Sequence, residues 1–92
     1  MFYLVCFDIV DDRTRQRVVK VLKGYGHRVQ KSVFECSKLS EDRYLKLKNK
    51  LEDLIDLTED SIRYYPLCKG CVKNVEHTGI GEDPEPQDYK VV

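Results

Sequence analysis

The sequence predicts one small α+β domain in which strands and helices follow the order βαββαβ. Three observations lead to this fold class: an apolar strand at the start, two segments with the spacing of amphipathic helices, and a tyrosine-rich strand after the second of them. A chain of 92 residues buries only about 60–65% of the surface that its unfolded form exposes. The core is therefore thin, and a second subunit would enlarge it.

The first predicted element is an apolar strand over residues 2–9. Successive side chains of a strand point to opposite faces, and here Leu4 and Cys6 alternate with Val5 and Phe7, so that both faces are apolar. A strand with two apolar faces is typical of the middle of a sheet that is covered on both sides. Two helices cover one face of such a sheet, so we expect a second copy of the chain on the other.

The second element is a helix that Asp11 or Asp12 can cap and that runs to about Lys23. We expect Gly24 and Gly26 to end this helix, because glycine tolerates the left-handed conformation of a C-terminal cap. The apolar residues of the helix recur at amphipathic spacing, at Val18, Val19, Leu22 and Tyr25.

Residues 27–37 favour extended backbone but are few for two strands and a turn. The sequence leaves open whether they form two short strands or one kinked strand, with the break near residues 30–32. Ser40 is the candidate N-cap of a second helix that continues to about Asp56. The apolar side of this helix is formed by Tyr44, Leu47, Leu51, Leu54 and Ile55.

A further strand is predicted over residues 61–67, at an edge or with its end at Pro66, because proline cannot donate to a strand ladder. We expect a short additional strand from Val72 to His77. The complete order is that of a ferredoxin-like sandwich over residues 1–78. Residues 79–92 form a C-terminal arm: its acidic, Gly- and Pro-rich part precedes a last strand at 88–92, which we expect to dock on a partner subunit.

Charge is distributed unequally along the chain, although the formal net charge is zero. Residues 1–50 hold twelve Lys or Arg and six Asp or Glu, whereas residues 51–92 hold four and ten. From Arg13 to Lys31 there are seven basic residues and no acidic one. A solvated helix face is the ordinary interpretation of such a run, and a phosphate-binding patch is the alternative that we favour.

Cysteine usage and the N-terminus indicate a cytoplasmic protein. The four cysteines do not have the pattern of a secreted disulfide framework, and the N-terminus does not resemble a signal peptide. No apolar run approaches the roughly 20 residues of a membrane-spanning helix. Cys68 and Cys71 form a C-x-x-C pair. Two ordinary cysteines near a turn are the interpretation that we favour, and a zinc site and a redox pair are the alternatives.

Asp8 interrupts the first apolar strand near its end. A carboxylate there must reach water, a partner or a metal, because burying it alone is costly. It is either a cap or ion-pair acceptor near the helix start, or a magnesium ligand. Magnesium keeps most of its waters and often takes only one or two protein carboxylates, so one aspartate from each subunit of a dimer would suit it.

These features together resemble the Cas-two family of small CRISPR-associated endoribonucleases. The resemblance covers about residues 1–75. It lies in five segments: Phe-Asp-Ile at 7–9, the Asp-Asp and Arg-rich helix that follows, Gly-Tyr-Gly at 24–26, Arg-Val-Gln-Lys-Ser-Val-Phe-Glu-Cys at 28–36, and Ser-Ile-Arg-Tyr-Tyr-Pro-Leu-Cys at 61–68. One position departs from the family pattern, since the residue before the strand-end aspartate is often Tyr and here is Phe7.

The resemblance implies a ferredoxin-like homodimer whose two strand-end aspartates bind Mg²⁺ or Mn²⁺. It also implies metal-dependent cleavage of single-stranded RNA or double-stranded DNA, and a partnership with the larger CRISPR adaptation integrase that inserts new spacers. On this basis Asp8 matches the metal ligand. Further positions that the resemblance associates with activity are Arg15, Arg17, Arg28, Ser32 and Phe34.

The basic residues suggest a phosphate-facing row by their spacing. Arg15 and Arg17 diverge by about 200° on a helix, whereas Arg13, Arg17 and Lys20 share one face. We therefore expect that row, with Arg28 and Lys31, to bind nucleic acid. Two alternatives to a nuclease stay open: a non-catalytic DNA-binding scaffold of the adaptation complex, and a ribonuclease toxin on the same fold.

Overall fold

The computed structural model describes residues 1–81 and contains four strands and three helices in that part of the chain. The first six elements follow the predicted order and confirm the ferredoxin-like α+β fold. The predicted strand at 88–92, and most of the arm before it, lie outside the described residues. The elements are β1 (Phe2–Asp8), α1 (Asp12–Leu22), β2 (His27–Gln30), β3 (Val33–Cys36), α2 (Glu41–Leu54), β4 (Ser61–Leu67) and α3 (Lys69–Lys73).

The strands form one antiparallel sheet with the order β2-β3-β1-β4. The apolar β1 is central, as its sequence predicts, and pairs along its length with β4. In the register, Val5 lies opposite Phe34 of β3 and Tyr64 of β4. Because β4 lies at the edge of the described sheet, it accommodates Pro66, which cannot donate to a ladder.

The core lies between one face of the sheet and the helices. Val5 and Phe7 of β1 belong to a cluster that includes Val18 and Leu22 of α1 and Leu47 of α2, all buried. Of the alternate residues of β1, Phe2 is buried at the start of the strand, whereas Leu4 and Cys6 are only half-buried and Asp8 is exposed. One apolar face of the sheet is therefore well covered, and the opposite one, called the open face below, is not.

The helices α1 and α2 begin at predicted caps. The side chain of Asp11 accepts a hydrogen bond from the backbone N–H of Thr14 at 2.8 Å, and Ser40 accepts one from Arg43 at 3.2 Å. Each oxygen satisfies an N–H that the first helical turn leaves without a partner. Asp11, and not Asp12, is thus the residue that caps α1.

The glycines after α1 have a different role from the one that the sequence suggests. In the described residues, left-handed backbone occurs at Gly79, Gly81 and Lys38, and not at Gly24 or Gly26. A Cβ on Gly26 would lie 2.4 Å from the carbonyl oxygen of Glu35 and 2.7 Å from Sγ of Cys36. The prediction of a left-handed cap is wrong, because here glycine serves the close approach of two backbone segments.

Residues 27–37 form two strands and not one kinked strand. Their pairing is irregular between Arg28 and Gln30, where the register shifts by a bulge. The short turn at residues 31–32 is stabilised by Arg28, whose Nε donates to the carbonyl oxygen of Lys31 at 3.1 Å.

The predicted strand from Val72 to His77 is wrong, because residues 69–73 form the short helix α3. The backbone N–H of Val72 donates to the carbonyl of Cys68 at 3.0 Å, and that of Asn74 donates to Cys71 at 3.1 Å. Val72 is buried, and α3 packs against β4. A helical turn satisfies the backbone locally while it buries this valine. No helix within residues 1–81 is long and apolar enough to cross a membrane.

Candidate nucleic-acid interface

Asp8 is the last residue of the central strand β1. It lies opposite Ser61 of β4, and the carbonyl oxygen of Ser32 accepts a hydrogen bond of 3.0 Å from the N–H of Phe7. Strand alternation places Asp8 on the open face, together with Cys6. Its side chain is exposed, and within residues 1–81 it forms no hydrogen bond or ion pair. Asp8, Ser32 and Ser61 therefore meet at this end of the sheet.

The cap or ion-pair interpretation of Asp8 is not what the structure adopts. Asp11 caps α1, and the hydrogen bond from the Thr14 N–H lowers the pKa of the Asp11 carboxyl. Asp12 pairs with Arg15. Within residues 1–81 Asp8 has neither role, and its carboxylate has no partner there.

Arg15 holds the connection that directly follows Asp8. Its Nη2 donates to the carbonyl oxygen of Ile9 at 2.8 Å and to that of Val10 at 3.3 Å, while Nη1 pairs with Asp12. A guanidinium presents several donors in a rigid planar arrangement, which suits it to bridging two carbonyls and a carboxylate. In this chain Arg15 thus positions the backbone on the C-terminal side of Asp8.

A basic groove of about 320 Å³ lies between α1 and β2. Four of its six lining side chains are cationic at neutral pH and none is acidic. Arg15 places one side of the groove next to the segment after Asp8. The groove is lined by Arg15, Gln16, Val19, Lys20, Lys23 and Arg28.

The predicted phosphate-facing row and the basic groove share only one member on the helix. Arg13, Arg17 and Lys20 are all exposed on α1, but Lys20 alone of the three lines the groove. The positions of α1 and its C-cap that line the groove are 15, 16, 19, 20 and 23, which form a second face of the same helix. Sequence reasoning passed over Gln16 and Lys23, although this spacing was present in the basic run.

Arg28 and Lys31 reach the same region from the strand side. Arg28 is paired in register with Phe34, so it lies on the helix-covered face of the sheet and lines the basic groove. Its guanidinium also donates to the Lys31 carbonyl, which ties the turn to the groove. The side chain of Lys31 is exposed at that turn.

Phe34 lies in the core and not at the surface. Its exposed fraction is 0%, and its ring centroid is 6.3 Å from that of Phe7, which is 5% exposed. A substrate cannot touch Phe34 in this position, so any effect of Phe34 on activity would act through packing beneath Asp8. Phe7 faces the same core, away from the carboxylate that follows it.

Arg63 is a further cation near Asp8 that the sequence did not single out. It lies opposite Cys6 on β4, two residues from Ser61, and is therefore a diagonal neighbour of Asp8 on the open face. Its Nη1 donates to the hydroxyl of Tyr65 at 3.4 Å, and this contact raises the pKa of the guanidinium further. The available signal was one arginine, two positions before Tyr65, in a predicted strand that belongs to the segment 61–68.

Comparison with known proteins gives a consistent result. The family model described as "CRISPR associated protein Cas2" matches residues 1–75. The chain is 44% identical over 94 residues to "CRISPR-associated endoribonuclease Cas2 1" of Chloroflexus aurantiacus, with all of both chains covered.

Two solved structures extend this likeness to the fold. Streptococcus pyogenes Cas2 superposes with a TM-score of 0.77 at 37% identity, covering 86% of this chain and 100% of that one. A chain of a structure described as a "Partial Cas6-RT-Cas1--Cas2 complex" gives a TM-score of 0.72 at 39% identity, covering 83% of this chain and 82% of that one. The family model covers residues 1–75, and the Chloroflexus relative matches the whole chain. The chain therefore belongs to the CRISPR-associated protein Cas2 family.

Proposed function

We propose that this chain acts as a homodimer in CRISPR adaptation, as a divalent-metal-dependent endonuclease with the carboxylate of Asp8 at its centre. The position of Asp8 carries the proposal: it is an exposed acid without a partner in residues 1–81, at the end of an otherwise apolar central strand. An acid in that place has no structural task in the described chain, and the cation Arg63 is its diagonal neighbour on the open face.

The open face supports the dimer. Leu4, Val33 and Leu67 lie on it half-buried, and Tyr65 is 42% exposed. A second copy that covers this face would bury apolar surface and bring the face that carries Asp8 in one subunit towards the same face of the other. The thin core of a 92-residue chain adds to the expected gain.

Asp8 is the one metal ligand that we propose for each chain, so the aspartates of two subunits would hold a hard divalent cation together. No group of three potential ligands converges within residues 1–81, so a closed protein cage is not formed there. Asp8 of each subunit would hold Mg²⁺ or Mn²⁺, whose remaining positions suit water and phosphate oxygen. An ion held by the two Asp8 carboxylates would supply Lewis-acid polarisation of the phosphodiester and activation of a water molecule.

The remaining residues bind and position. Lys20, Lys23 and Arg28 would neutralise backbone phosphates in the basic groove, a sequence-independent interaction. Arg15 would keep the residues after Asp8 in place. Arg63, which lies on the open face with Asp8, would contact a phosphate bound near that carboxylate. Arg13, Arg17 and Lys31 extend the positive surface beyond the groove.

The relatives support both the reaction and the partner. The Chloroflexus relative is named an endoribonuclease, which favours single-stranded RNA as a substrate, with double-stranded DNA as the second candidate. A Cas2 chain has been solved in a complex with Cas1, which favours the larger adaptation integrase as the partner of this chain and spacer insertion as the process.

A nuclease assay tests the enzymatic proposal. Asp8→Ala should abolish cleavage of RNA and duplex DNA in Mg²⁺, whereas Asp53→Ala, which removes another exposed aspartate, should leave it unchanged. Mass measurement in solution should give a dimer for all three proteins. Cleavage by Asp8→Ala at the rate of the unmutated chain would refute the role of Asp8.

A non-catalytic scaffold is the second candidate, and the basic groove favours it, because phosphate neutralisation needs no metal. In that case Asp8→Ala would bind DNA and the integrase as tightly as the unmutated chain, and neither protein would cut. The ribonuclease-toxin alternative gains no support from the family match.

A further inference from the structure

Cys68 and Cys71 lie side by side at the surface, directly after β4. Their Sγ atoms are 3.4 Å apart, and both side chains are exposed. A disulfide needs sulfurs about 2.05 Å apart on residues whose Cα atoms lie about 4.4–6.8 Å from each other. Residues three apart in one helical turn satisfy that Cα range, so a small rotation of the side chains would bring the sulfurs to bonding distance.

The other two cysteines do not share this geometry. Cys36 is fully buried, and burial raises the pKa of its thiol to about 11. Cys6 is half-buried on β1, and all four cysteines are free thiols. Oxidation of this chain should therefore be selective for the exposed pair.

The two thiols of the pair differ in their tendency to ionise. The backbone N–H of Cys71 donates to Sγ of Cys68 at 3.4 Å, and this hydrogen bond lowers the pKa of Cys68. The pKa of Cys71 is raised, chiefly by its hydrogen bond to Cys68 and by the charge there. Cys68 is thus the more reactive nucleophile near neutral pH. Cys71 lies close enough to attack a mixed disulfide that forms on Cys68.

We propose that Cys68 and Cys71 form a reversible redox-modification site that low-molecular-weight disulfides oxidise to an intramolecular disulfide. The Cys68 thiolate attacks one sulfur of the oxidant, breaks its S–S bond and releases one thiol. The Cys71 thiolate then attacks Cys68 in the mixed disulfide and releases the second thiol. Two protein thiols are oxidised, the two sulfurs of the oxidant are reduced, and the protons pass through solvent.

A zinc site is the competing use of such a pair. Structural zinc takes four ligands, and no group of three His, Cys, Asp or Glu side chains converges in the part of the chain that the structure describes. The site is also independent of the proposed nuclease activity, because neither sulfur contacts Asp8 or the basic groove. The closed ring would lock the turn that joins β4 to α3.

Lys69 makes the test direct, because trypsin cleaves after it, between the two cysteines. The full chain is equilibrated with oxidised glutathione, its remaining thiols are blocked with N-ethylmaleimide, and the digest is analysed by mass spectrometry. Peptides 64–69 and 70–73 should appear joined by a disulfide, and dithiothreitol should separate them. Cys6 and Cys36 should still be reduced, so that both carry N-ethylmaleimide after alkylation of the denatured chain.

Single variants test the order of the steps. Cys71→Ser should retain glutathione on Cys68, since the resolving thiol is missing, and should form this adduct faster at pH 7 than Cys68→Ser forms one on Cys71. Three results would overturn the proposal: peptides that stay unlinked in oxidised glutathione, preferential oxidation of Cys6, or one zinc ion per chain that protects both thiols.

Discussion

The guanidinium of Arg15 donates a hydrogen bond of 2.8 Å to the carbonyl oxygen of Ile9, the residue that follows the strand-end Asp8. The same side chain lines the basic groove between α1 and β2. One residue therefore links the candidate metal ligand to the candidate phosphate-binding surface. Its loss should affect both the stability of the β1–α1 connection and the placement of Asp8.

Arg15→Ala should lower the free energy of unfolding by about 1 kcal/mol, because hydrogen bonds of a charged donor are worth about 1.5–3 kcal/mol and partial exposure weakens them. Cleavage should fall as well. Arg17→Ala is the matched control for stability, since Arg17 is exposed and forms no hydrogen bond within residues 1–81. It should change stability by less than about 0.5 kcal/mol in urea unfolding. Equal stability of the two variants would contradict the structural role of Arg15.

The basic groove predicts how binding depends on salt. Each phosphate contact contributes about −0.9 to the slope of log affinity against log salt, so Lys20→Ala with Lys23→Ala should flatten the slope for duplex DNA by roughly 1.8. The exposed pair Arg13→Ala with Arg17→Ala lies outside the groove and should flatten it less. A larger effect of the Arg13 and Arg17 pair would assign the phosphates to the outer row of α1. Unchanged slopes in both would mean that α1 is an ordinary solvated helix.

Gly26 should be intolerant of any side chain. Gly26→Ala should destabilise the fold by about 1–3 kcal/mol, because the added Cβ would meet the backbone of Glu35 at 2.4 Å. In Gly24→Ala the nearest atom is the Val21 carbonyl oxygen at 3.4 Å, so this variant is the control and should stay within about 0.5 kcal/mol of the unmutated chain. Chemical denaturation measures both, and equal losses would contradict the close approach.

The cap of α1 should make stability depend on acidic pH. The pKa of Asp11 lies below its ordinary value of 3.8 in the folded chain, so its contribution is present above that pH and is lost as the pH falls through the lower folded pKa. Asp11→Ser retains a capping oxygen but does not titrate. The variant should lose less stability than the unmutated chain on acidification below about pH 4. If the free energy of unfolding falls equally with decreasing pH in the two proteins, protonation of Asp11 does not affect stability.

Local pattern was sufficient for the elements whose formation depends on neighbours in the chain. The apolar run of β1, the cap Ser40 and the stripe of α1 all follow from spacing of a few residues, and the structure confirms them. The same holds for the interruption of the apolar strand by Asp8. For the cap of α1 the sequence offered Asp11 or Asp12, and the structure selects Asp11. The matches that place the chain in the Cas2 family agree with segments that the sequence already displays.

Tertiary contacts decided the rest. The segment after β4 becomes helical because Val72 packs against β4, and Gly26 is required because β3 passes close to it. The basic groove combines α1 with Arg28 from β2, and only the strand register determines which arginine faces the helix. Spacing along the sequence specifies which residues share one helix face, but the juxtaposition of two elements depends on how the sheet and the helices pack.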